Sequence, residues 1–349
     1  MKVIEKEKIG DLLREVSKEW NTYVPQRNLG GDIWFETLPK NGRELDDALK
    51  NIVLGDEEVI PPKDIFFPQL ESMFAFQKGK IQEAVESSAK FVFGIKACDL
   101  KGVLFSDDFF KRGFEDKYYL SRTQNRFLVV IGCLNPPRPT ACFCTSARTG
   151  PFADEGYDWQ LIDNGDSYSV ETGSQKGEEL VEKYGKFFKD PPADAEKTKN
   201  HIKTKAYEAV ELKVDFPKAV DLMADHEFSP QENYKRIGER CIYCGACLYV
   251  CPTCTCFNVF DYLKGEQGAR YRSWDACVFE GYTREASGHN PREEKSIRTA
   301  RRYEHKLRYD YEITGMSGCI GCGRCLASCP VDIGISKFIQ EITEERKVM

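Results

Sequence analysis

The sequence CIYCGACLYVCP, residues 241–252, decides how the C-terminal part of this chain folds. It spaces four cysteines as C-x2-C-x2-C-x3-C-P, and the spacing returns in CIGCGRCLASCP, residues 319–330. This run is typical of bacterial [4Fe–4S] ligation, in which three cysteines bind one cubane and the fourth binds its neighbour. Two complete copies predict two [4Fe–4S] clusters, and therefore a chain that moves or stores electrons.

The crossover rule also predicts which cysteines share a cluster, because each set takes its last member from the other run. One set is Cys241, Cys244, Cys247 and Cys329, and the other is Cys319, Cys322, Cys325 and Cys251. The runs are far apart in sequence, with 67 residues between Cys251 and Cys319. Because the clusters would tie them together, we expect metal binding to be part of folding.

Length and composition describe an ordinary globular protein of about two domains. The chain has 349 residues, 41% of them hydrophobic and 30% charged, with a net charge of −6. The acidic balance argues against nucleic acid as a partner. The start, MKVIEKEKIG, has no apolar signal region, and no apolar run is long enough for a membrane span. Fifteen cysteines, many in C-x2-C form, indicate metal binding in a reducing compartment. We expect a cytoplasmic protein.

The N-terminal part predicts an α/β domain. Two apolar runs, 91–97 and 127–131, have the length of buried strands, and the segment between them is long enough for a crossover. This is the βαβ pattern of a parallel sheet. An amphipathic helix is expected over residues 8–20, and a hairpin over 159–170 around Asn164-Gly165.

Other segments are assigned more coarsely. Residues 60–75 are expected to form a loop with buried aromatics, and Ile81 to Glu86 to begin a helix. Helices are also expected over 177–226, and over most of the insert 257–318. The predicted fold class is α+β. It combines an α/β domain with a short, mostly parallel sheet (1–226) and a mostly helical, ferredoxin-like dicluster domain (227–349).

Four further cysteines predict a third cluster. Cys98 and Cys133 follow the two predicted strands, and sites in parallel sheets form at the carboxyl ends of strands. Cys142 and Cys144 flank Phe143, so both thiols share one face of an extended segment. We expect these four thiols to hold a [4Fe–4S] cluster. A zinc site and buried free thiols are the alternatives.

Three cysteines remain: Cys254, Cys256 and Cys277. They suit a further cluster with a non-cysteine ligand, a redox-active dithiol, or simple packing around the first cluster. His289 is expected to be structural. The basic segment 270–308 suits a solvated helical face, cations that offset cluster charge, or a docking site for an acidic partner. The chain has no G-x-G-x-x-G and no P-loop, and so no recognisable nucleotide site of its own.

The cysteines and their neighbours resemble a known family, the iron–sulfur β subunits of cytoplasmic hydrogenase and sulfur-reductase complexes. The dicluster iron–sulfur proteins of anaerobic sulfite reductases are nearly as similar. The resemblance extends from about Ile60 to Pro330. Besides the second run, it rests on IPPK (60–63), FGIKACD (93–99), DKYY (116–119), GC (132–133), CFC (142–144), FADEGYD (152–158), CPTCTC (251–256), WDAC (274–277) and GHN (288–290). Ser287 is a minor departure, where the family has glycine.

The resemblance implies a place in a larger complex. A flavin subunit exchanges hydride with NAD(P)H or electrons with another donor. The β-like subunit relays single electrons to a catalytic subunit of hydrogenase, sulfur-reductase or sulfite-reductase type. The expected function is thus that of a non-catalytic electron-transfer subunit. The alternatives are a reductase of a small sulfur oxidant acting at Cys254, Cys256 and Cys277, and an iron–sulfur protein that binds nucleic acid or has a structural role.

Overall fold

The structure is a computed structural model that describes residues 1–344. The described residues form two compact units that interleave along the chain. The first unit comprises Met1–Phe66, Val85–Pro139 and Arg148–Glu211. The second comprises Phe67–Ala84, Thr140–Ala147 and the described chain from Leu212 onward.

The strands are β1 (Lys2–Glu5), β2 (Asn21–Arg27), β3 (Ile33–Thr37), β4 (Leu70–Gln77), β5 (Lys80–Glu83), β6 (Lys90–Lys96), β7 (Arg126–Ile131), β8 (Trp159–Asp163), β9 (Ser167–Thr172), β10 (Phe257–Lys264) and β11 (Gln267–Trp274). The helices are α1 (Ile9–Val16), α2 (Gly42–Lys50), α3 (Lys63–Phe66), α4 (Ala97–Lys111), α5 (Lys117–Thr123), α6 (Gln175–Lys183), α7 (Ala195–Glu208), α8 (Phe216–Ala224), α9 (Gln231–Arg240), α10 (Ala246–Tyr249), α11 (Lys295–Glu304), α12 (Asp310–Thr314), α13 (Arg324–Ala327) and α14 (Ile335–Thr343). A π-helical turn, His305–Tyr309, joins α11 to α12.

The first unit is built on a seven-stranded sheet in the order β1-β9-β8-β7-β6-β2-β3. Its centre is parallel, from β2 through β6 and β7 to β8. The predicted βαβ unit is present, because α4 and α5 connect the parallel neighbours β6 and β7. Every residue of β6 is buried, as expected for a strand covered on both faces. Phe91 stacks on Phe127 with ring centroids 5.0 Å apart.

The expectation of a short, mostly parallel sheet is wrong. Three of the six strand pairings are antiparallel, at the two edges of the sheet. The cause is local, since β3 returns beside β2, β9 returns beside β8, and β1 pairs with β9. The predicted N-terminal helix and the hairpin at Asn164-Gly165 are confirmed as α1 and as β8–β9.

The second unit contains a four-stranded antiparallel sheet in the order β10-β11-β4-β5. Three expectations are corrected here: residues 70–77 form strand β4 instead of a loop, residues 80–83 form strand β5 instead of a helix, and residues 257–274 form a hairpin instead of helices. The hairpin turns at Gly265, which has a φ of +62°. Its strand β11 then pairs along β4, an interaction too distant in sequence for local pattern to reveal.

The helical core of the second unit lies among α8, α9, α11 and α14. Tyr303 packs on Phe338 with centroids 4.4 Å apart, and Tyr234 stacks on the same ring. Helix α8 belongs to this unit because Phe216, Ala219 and Met223 are buried in its core. The predicted domain boundary after residue 226 stays a prediction. The last boundary between the two compact units along the chain instead lies between Glu211 and Leu212.

No helix among residues 1–344 combines the length and the apolar character needed to cross a bilayer.

Candidate iron–sulfur centre

The two cysteine runs fold into loops of the same backbone shape. In the first, Tyr243 and Gly245 have φ angles of 56° and 74°, and in the second, Gly321 and Gly323 have 63° and 76°. Left-handed residues at these two positions turn the chain tightly. Each loop leads directly into a short helix, α10 or α13. The repeat seen in the sequence is therefore also a repeat of local structure.

The residue at the third position is Tyr243 in the first loop and Gly321 in the second, and this difference has a steric reason. A Cβ atom on Gly321 would lie 2.7 Å from the carbonyl oxygen of Phe143, so no side chain fits there. In the first loop the equivalent residue is Tyr243, whose hydroxyl donates to the carbonyl of Gly238 at 2.9 Å. The ring of Tyr243 also lies beneath the guanidinium of Arg298, 5.2 Å from its centroid. These contacts stabilise a tyrosine in a conformation that side chains seldom adopt.

The first loop lines a partly open cavity whose empty volume, open solvent included, is about 510 Å³. The cysteines that line it are Cys241, Cys244, Cys247, Cys325 and Cys329. Cys329 is the last cysteine of the second run, so four of these thiols are the set that the crossover rule predicts.

The second loop lines a partly open cavity whose empty volume, open solvent included, is about 350 Å³. The cysteines that line it are Cys251, Cys319, Cys322 and Cys325, and Cys251 is the last cysteine of the first run. Each cavity thus combines three cysteines of one run with the final cysteine of the other. Both cavities are also lined by Cys325 and Arg302, so they are immediate neighbours.

Two buried cations lie at these cavities. Arg302 is 7% exposed and lines both, and Lys306 is 5% exposed and lines the second. Within residues 1–344, the Nε of Arg302 has no hydrogen-bond partner. A buried charge without a partner is costly. A cubane with four thiolates is an anion of about −2, which suits a site with fixed positive charge. The residues present therefore fit two iron–sulfur clusters.

The thiols are tuned by burial and by these cations. Burial raises the pKa of Cys247 and of Cys325, and the positive charge of Arg302 lowers both. Burial also raises the pKa of Cys319 and of Cys241. For Lys306, burial lowers the pKa, but the charges of Cys251 and Cys254 outweigh it and the net shift is upward. Cluster binding requires thiolates, so the cations favour the ligand form.

No group of three or more histidine, cysteine, aspartate or glutamate side chains in the described part of the chain is arranged around a single metal ion.

Cys98 and Cys133 lie in the first unit, at the ends of adjacent parallel strands. Cys98 is the second residue of α4, directly after β6, and Cys133 is two residues past β7. Both thiols are half-buried, and the Sγ of Cys133 donates to the carbonyl of Asn135 at 3.0 Å. Each has the position along its strand that the sequence predicts.

Cys142 and Cys144 lie in the second unit and are buried. The Sγ of Cys142 lies 3.6 Å from the carbonyl oxygen of Cys322. Phe143, which separates Cys142 from Cys144 in the sequence, packs into the helical core. Because Cys98 and Cys133 belong to the other unit, the four-thiol site stays a prediction.

The three remaining cysteines lie in or against one small hydrophobic cluster of side chains in the second unit. Cys277 is buried there with Leu248, while Cys254 and Cys256 pack against it. The N–H of Asp275 donates to the carbonyl of Cys256 at 3.0 Å, so the hairpin β10–β11 brings Cys256 near Cys277. A hydrogen bond from Cys277 lowers the pKa of Cys256, against the effect of burial, and the pKa of Cys277 rises correspondingly.

Sequence reasoning identified a basic segment but missed the individual buried cations. Arg298, Arg302 and Lys306 are four residues apart, and all three are buried. This spacing places them along one face of a helix, a signal that was readable in the sequence. The predicted solvated face does not describe these three residues.

Comparison with known proteins agrees with this geometry. A family model described as "4Fe-4S dicluster domain" matches residues 240–333, which span both cysteine loops. This segment is therefore of the class of dicluster iron–sulfur domains. The chain is also 33% identical over 288 residues to "Sulfhydrogenase 2 subunit beta" of Pyrococcus furiosus (strain ATCC 43587 / DSM 3638 / JCM 8422 / Vc1). The alignment covers 82% of this chain and 84% of the relative. The chain belongs to the family of iron–sulfur hydrogenase beta subunits, which supports a role in electron transfer.

Proposed function

We propose that this chain is an electron-relay subunit that passes single electrons through adjacent [4Fe–4S] clusters. The observation that carries the proposal is the pair of neighbouring cavities, each lined by three cysteines of one run and the last cysteine of the other. In this proposal, Cys241, Cys244, Cys247 and Cys329 hold one cluster, and Cys319, Cys322, Cys325 and Cys251 hold the other. When bound, the clusters supply one-electron redox chemistry.

The chain's own residues exclude water and balance charge around these sites. Isoleucine and tyrosine side chains are among those that line the cavities, and Tyr303 and Ile335 are nearly fully buried. Arg302 and Lys306 place positive charge where the thiolates gather. Burial and net charge are two of the terms that set cluster potentials.

The proposed complex contains two kinds of partner. A flavin subunit that exchanges electrons with NAD(P)H or another donor would lie on one side of the relay. A catalytic or acceptor subunit of hydrogenase, sulfur-reductase or sulfite-reductase type would lie on the other. The family relationship supports a hetero-oligomer, since the relative is named as one subunit of a sulfhydrogenase. A cytoplasmic location and the absence of a nucleic-acid partner are part of the same proposal.

A third [4Fe–4S] cluster, held by Cys98, Cys133, Cys142 and Cys144, is also proposed. The position of the first two thiols at carboxyl ends of parallel strands supports it. Anaerobic iron and sulfide analysis of wild-type protein tests the number. About eight irons per chain corresponds to two cubanes and about twelve to three, and low-temperature EPR of the reduced protein identifies the cluster type. Folded protein that contains no iron, or zinc alone, would overturn the relay.

The crossover assignment has a sharper test in two double variants. If it is correct, Cys241→Ser with Cys329→Ser damages one cluster only, so about four irons are lost. Cys319→Ser with Cys329→Ser then damages both, so about eight are lost. If each run held its own cluster, the two results would be exchanged. The variants are matched controls, because each removes two thiols and both share Cys329.

A second candidate function is reduction of a small sulfur oxidant at the extra cysteines. The hydrogen-bonded thiols of Cys256 and Cys277 favour it, since thiols with a lowered pKa are the reactive ones. It predicts that the isolated chain, supplied with reductant, turns over polysulfide. It also predicts that Cys256→Ser abolishes this turnover while the iron content stays unchanged.

A further inference from the structure

Arg302 has an unusual position among the buried arginines of the second unit. It lies on α11, and among residues 1–344 it and Cys325 are the two side chains that line both cysteine cavities. It is 7% exposed, so its charge is held away from bulk water. A charge in such a position interacts with both cavities through a medium of low effective dielectric constant.

The guanidinium of Arg302 is not neutralised by any carboxylate among residues 1–344. It lies over the ring of Tyr303, 5.1 Å from the centroid, and its Nε has no hydrogen-bond partner in the described part of the chain. Two other buried arginines of this unit have hydrogen-bond partners. Arg272 donates to the carboxylate of Glu71 at 2.6 Å, and Arg298 donates to the carbonyl of Val278 at 3.1 Å. An unpaired buried charge of this kind needs an anionic partner.

The neighbours of Arg302 indicate where that partner is. Cys247 and Cys325 line the cavities together with Arg302. Cys247 lines the first cavity alone and Cys325 lines both. The cysteines that line the cavities with Arg302 therefore include members of both predicted ligand sets.

Lys306, one helical turn further on, provides a contrast. It lines the second cavity and not the first. Its ammonium is also partly satisfied, because Nζ donates to the hydroxyl of Thr253 at 2.7 Å. The two cations are similarly buried, but one faces two cavities and the other faces one.

We propose that Arg302 is a positioning residue for electron transfer, whose single charge is shared by the two clusters and raises the reduction potential of both. Reduction adds a negative charge to a cluster, so a fixed cation nearby favours the reduced form. Because the same cation faces both sites, it favours the addition of an electron at either of them. The inference rests on the two-cluster function proposed above.

The test is a redox titration, followed by EPR, of the intact holoprotein and three variants. Arg302→Met removes the charge with a side chain of comparable length, and should lower the midpoint potentials of both clusters. Arg302→Lys keeps the charge, and should leave both potentials near those of the wild type. Lys306→Met is the matched control, and should lower the potential of one cluster only. Circular dichroism checks that each variant is folded.

The outcomes separate this inference from the proposed function. Two wild-type cubanes together with an Arg302→Met variant that shifts one potential, or neither, would refute the shared charge and leave the relay intact. Wild-type protein without cubanes would refute the relay itself. If Arg302→Met retains too little iron to titrate, the iron content decides. If Arg302→Met loses iron from both sites and Arg302→Lys retains it, the shared charge is supported. If Arg302→Lys loses as much iron as Arg302→Met, the shared charge is contradicted.

Discussion

The backbone N–H of Phe143 donates a hydrogen bond to the carbonyl of Gly321 at 2.8 Å. This contact fixes the segment Thr140–Ala147 against the second cysteine loop, although the two residues are far apart in sequence. The backbones approach so closely that a Cβ atom on Gly321 or on Gly323 would lie 2.7 Å from the segment. The shape of the second loop thus depends on a stretch of chain far from the cysteine run.

Substitution of Gly321 by alanine should therefore disrupt the second loop. The left-handed conformation costs a non-glycine residue about 1–2 kcal/mol, and the clash with Phe143 adds to this. We expect Gly321→Ala to lower the midpoint of thermal unfolding and the iron content. The control is Gly10→Ala in α1, where a Cβ meets nothing within 4 Å and alanine favours the helix. If both variants keep wild-type iron and stability, the close approach has no structural importance.

The ion pair between Arg272 and Glu71 should stabilise the sheet of the second unit. The two residues are directly opposite each other on β11 and β4, and they are 1% and 5% exposed. Removing one partner of a buried pair leaves the other charge uncompensated, which costs about 3–5 kcal/mol. We expect Glu71→Ala to show this loss in chemical denaturation. The double variant Glu71→Leu with Arg272→Met should recover much of it, and a double variant as unstable as the single one would contradict this account.

Cluster assembly should become less favourable as pH falls. Burial raises the pKa values of Cys241, Cys247, Cys319 and Cys325, and each must lose its proton to become a ligand. Protons therefore compete with iron more strongly at low pH. Reconstitution of apoprotein, followed by iron bound at each pH, should show loading that rises with pH. Arg302→Met should move this curve to higher pH, because Arg302 lowers the pKa of Cys247 and Cys325. Loading that is independent of pH would contradict the prediction.

The thiol of Cys256 should react at lower pH than an ordinary cysteine. The hydrogen bond from Cys277 lowers the pKa of Cys256, so its thiolate persists at pH values where a free thiol is protonated. Alkylation of Cys256, followed by peptide mass spectrometry, should have its midpoint below the ordinary value of about 8.5. Cys277→Ala removes the donor and should raise that midpoint. If the midpoint is the same in both proteins, the hydrogen bond is not the cause.

Removal of iron should unfold much of the second unit. Structural metal sites contribute free energies on the order of 10 kcal/mol to small domains, and here the two predicted sets tie both cysteine runs together. We expect anaerobic chelation to reduce the helical circular dichroism signal. The signal of the first unit should persist, because its sheet has an aromatic core of its own around Phe91 and Trp159. An apoprotein that stays fully native-like would contradict this prediction.

The sequence by itself determined the parts of this protein that depend on local spacing. The pattern C-x2-C-x2-C-x3-C-P is typical of a tight loop around a metal centre, so the eight ferredoxin-type cysteines were predicted as ligands without a structure. The central strands β6 and β7 were also readable, since continuous apolar runs such as 91–97 indicate strands buried on both faces. In each case neighbouring residues carry the whole signal.

Only the tertiary structure decided what long-range pairing controls. Strand β4 pairs with β11 across nearly 200 residues, and no local pattern in 70–77 or 267–274 announces the partner. Arg302 is a further example. Its sequence neighbours describe a basic helix, but its unpaired charge and its contact with both cavities exist only because α11 packs between two distant loops. Burial and electrostatic environment arise from the packing of separate segments, and for that reason short-range sequence pattern does not contain them.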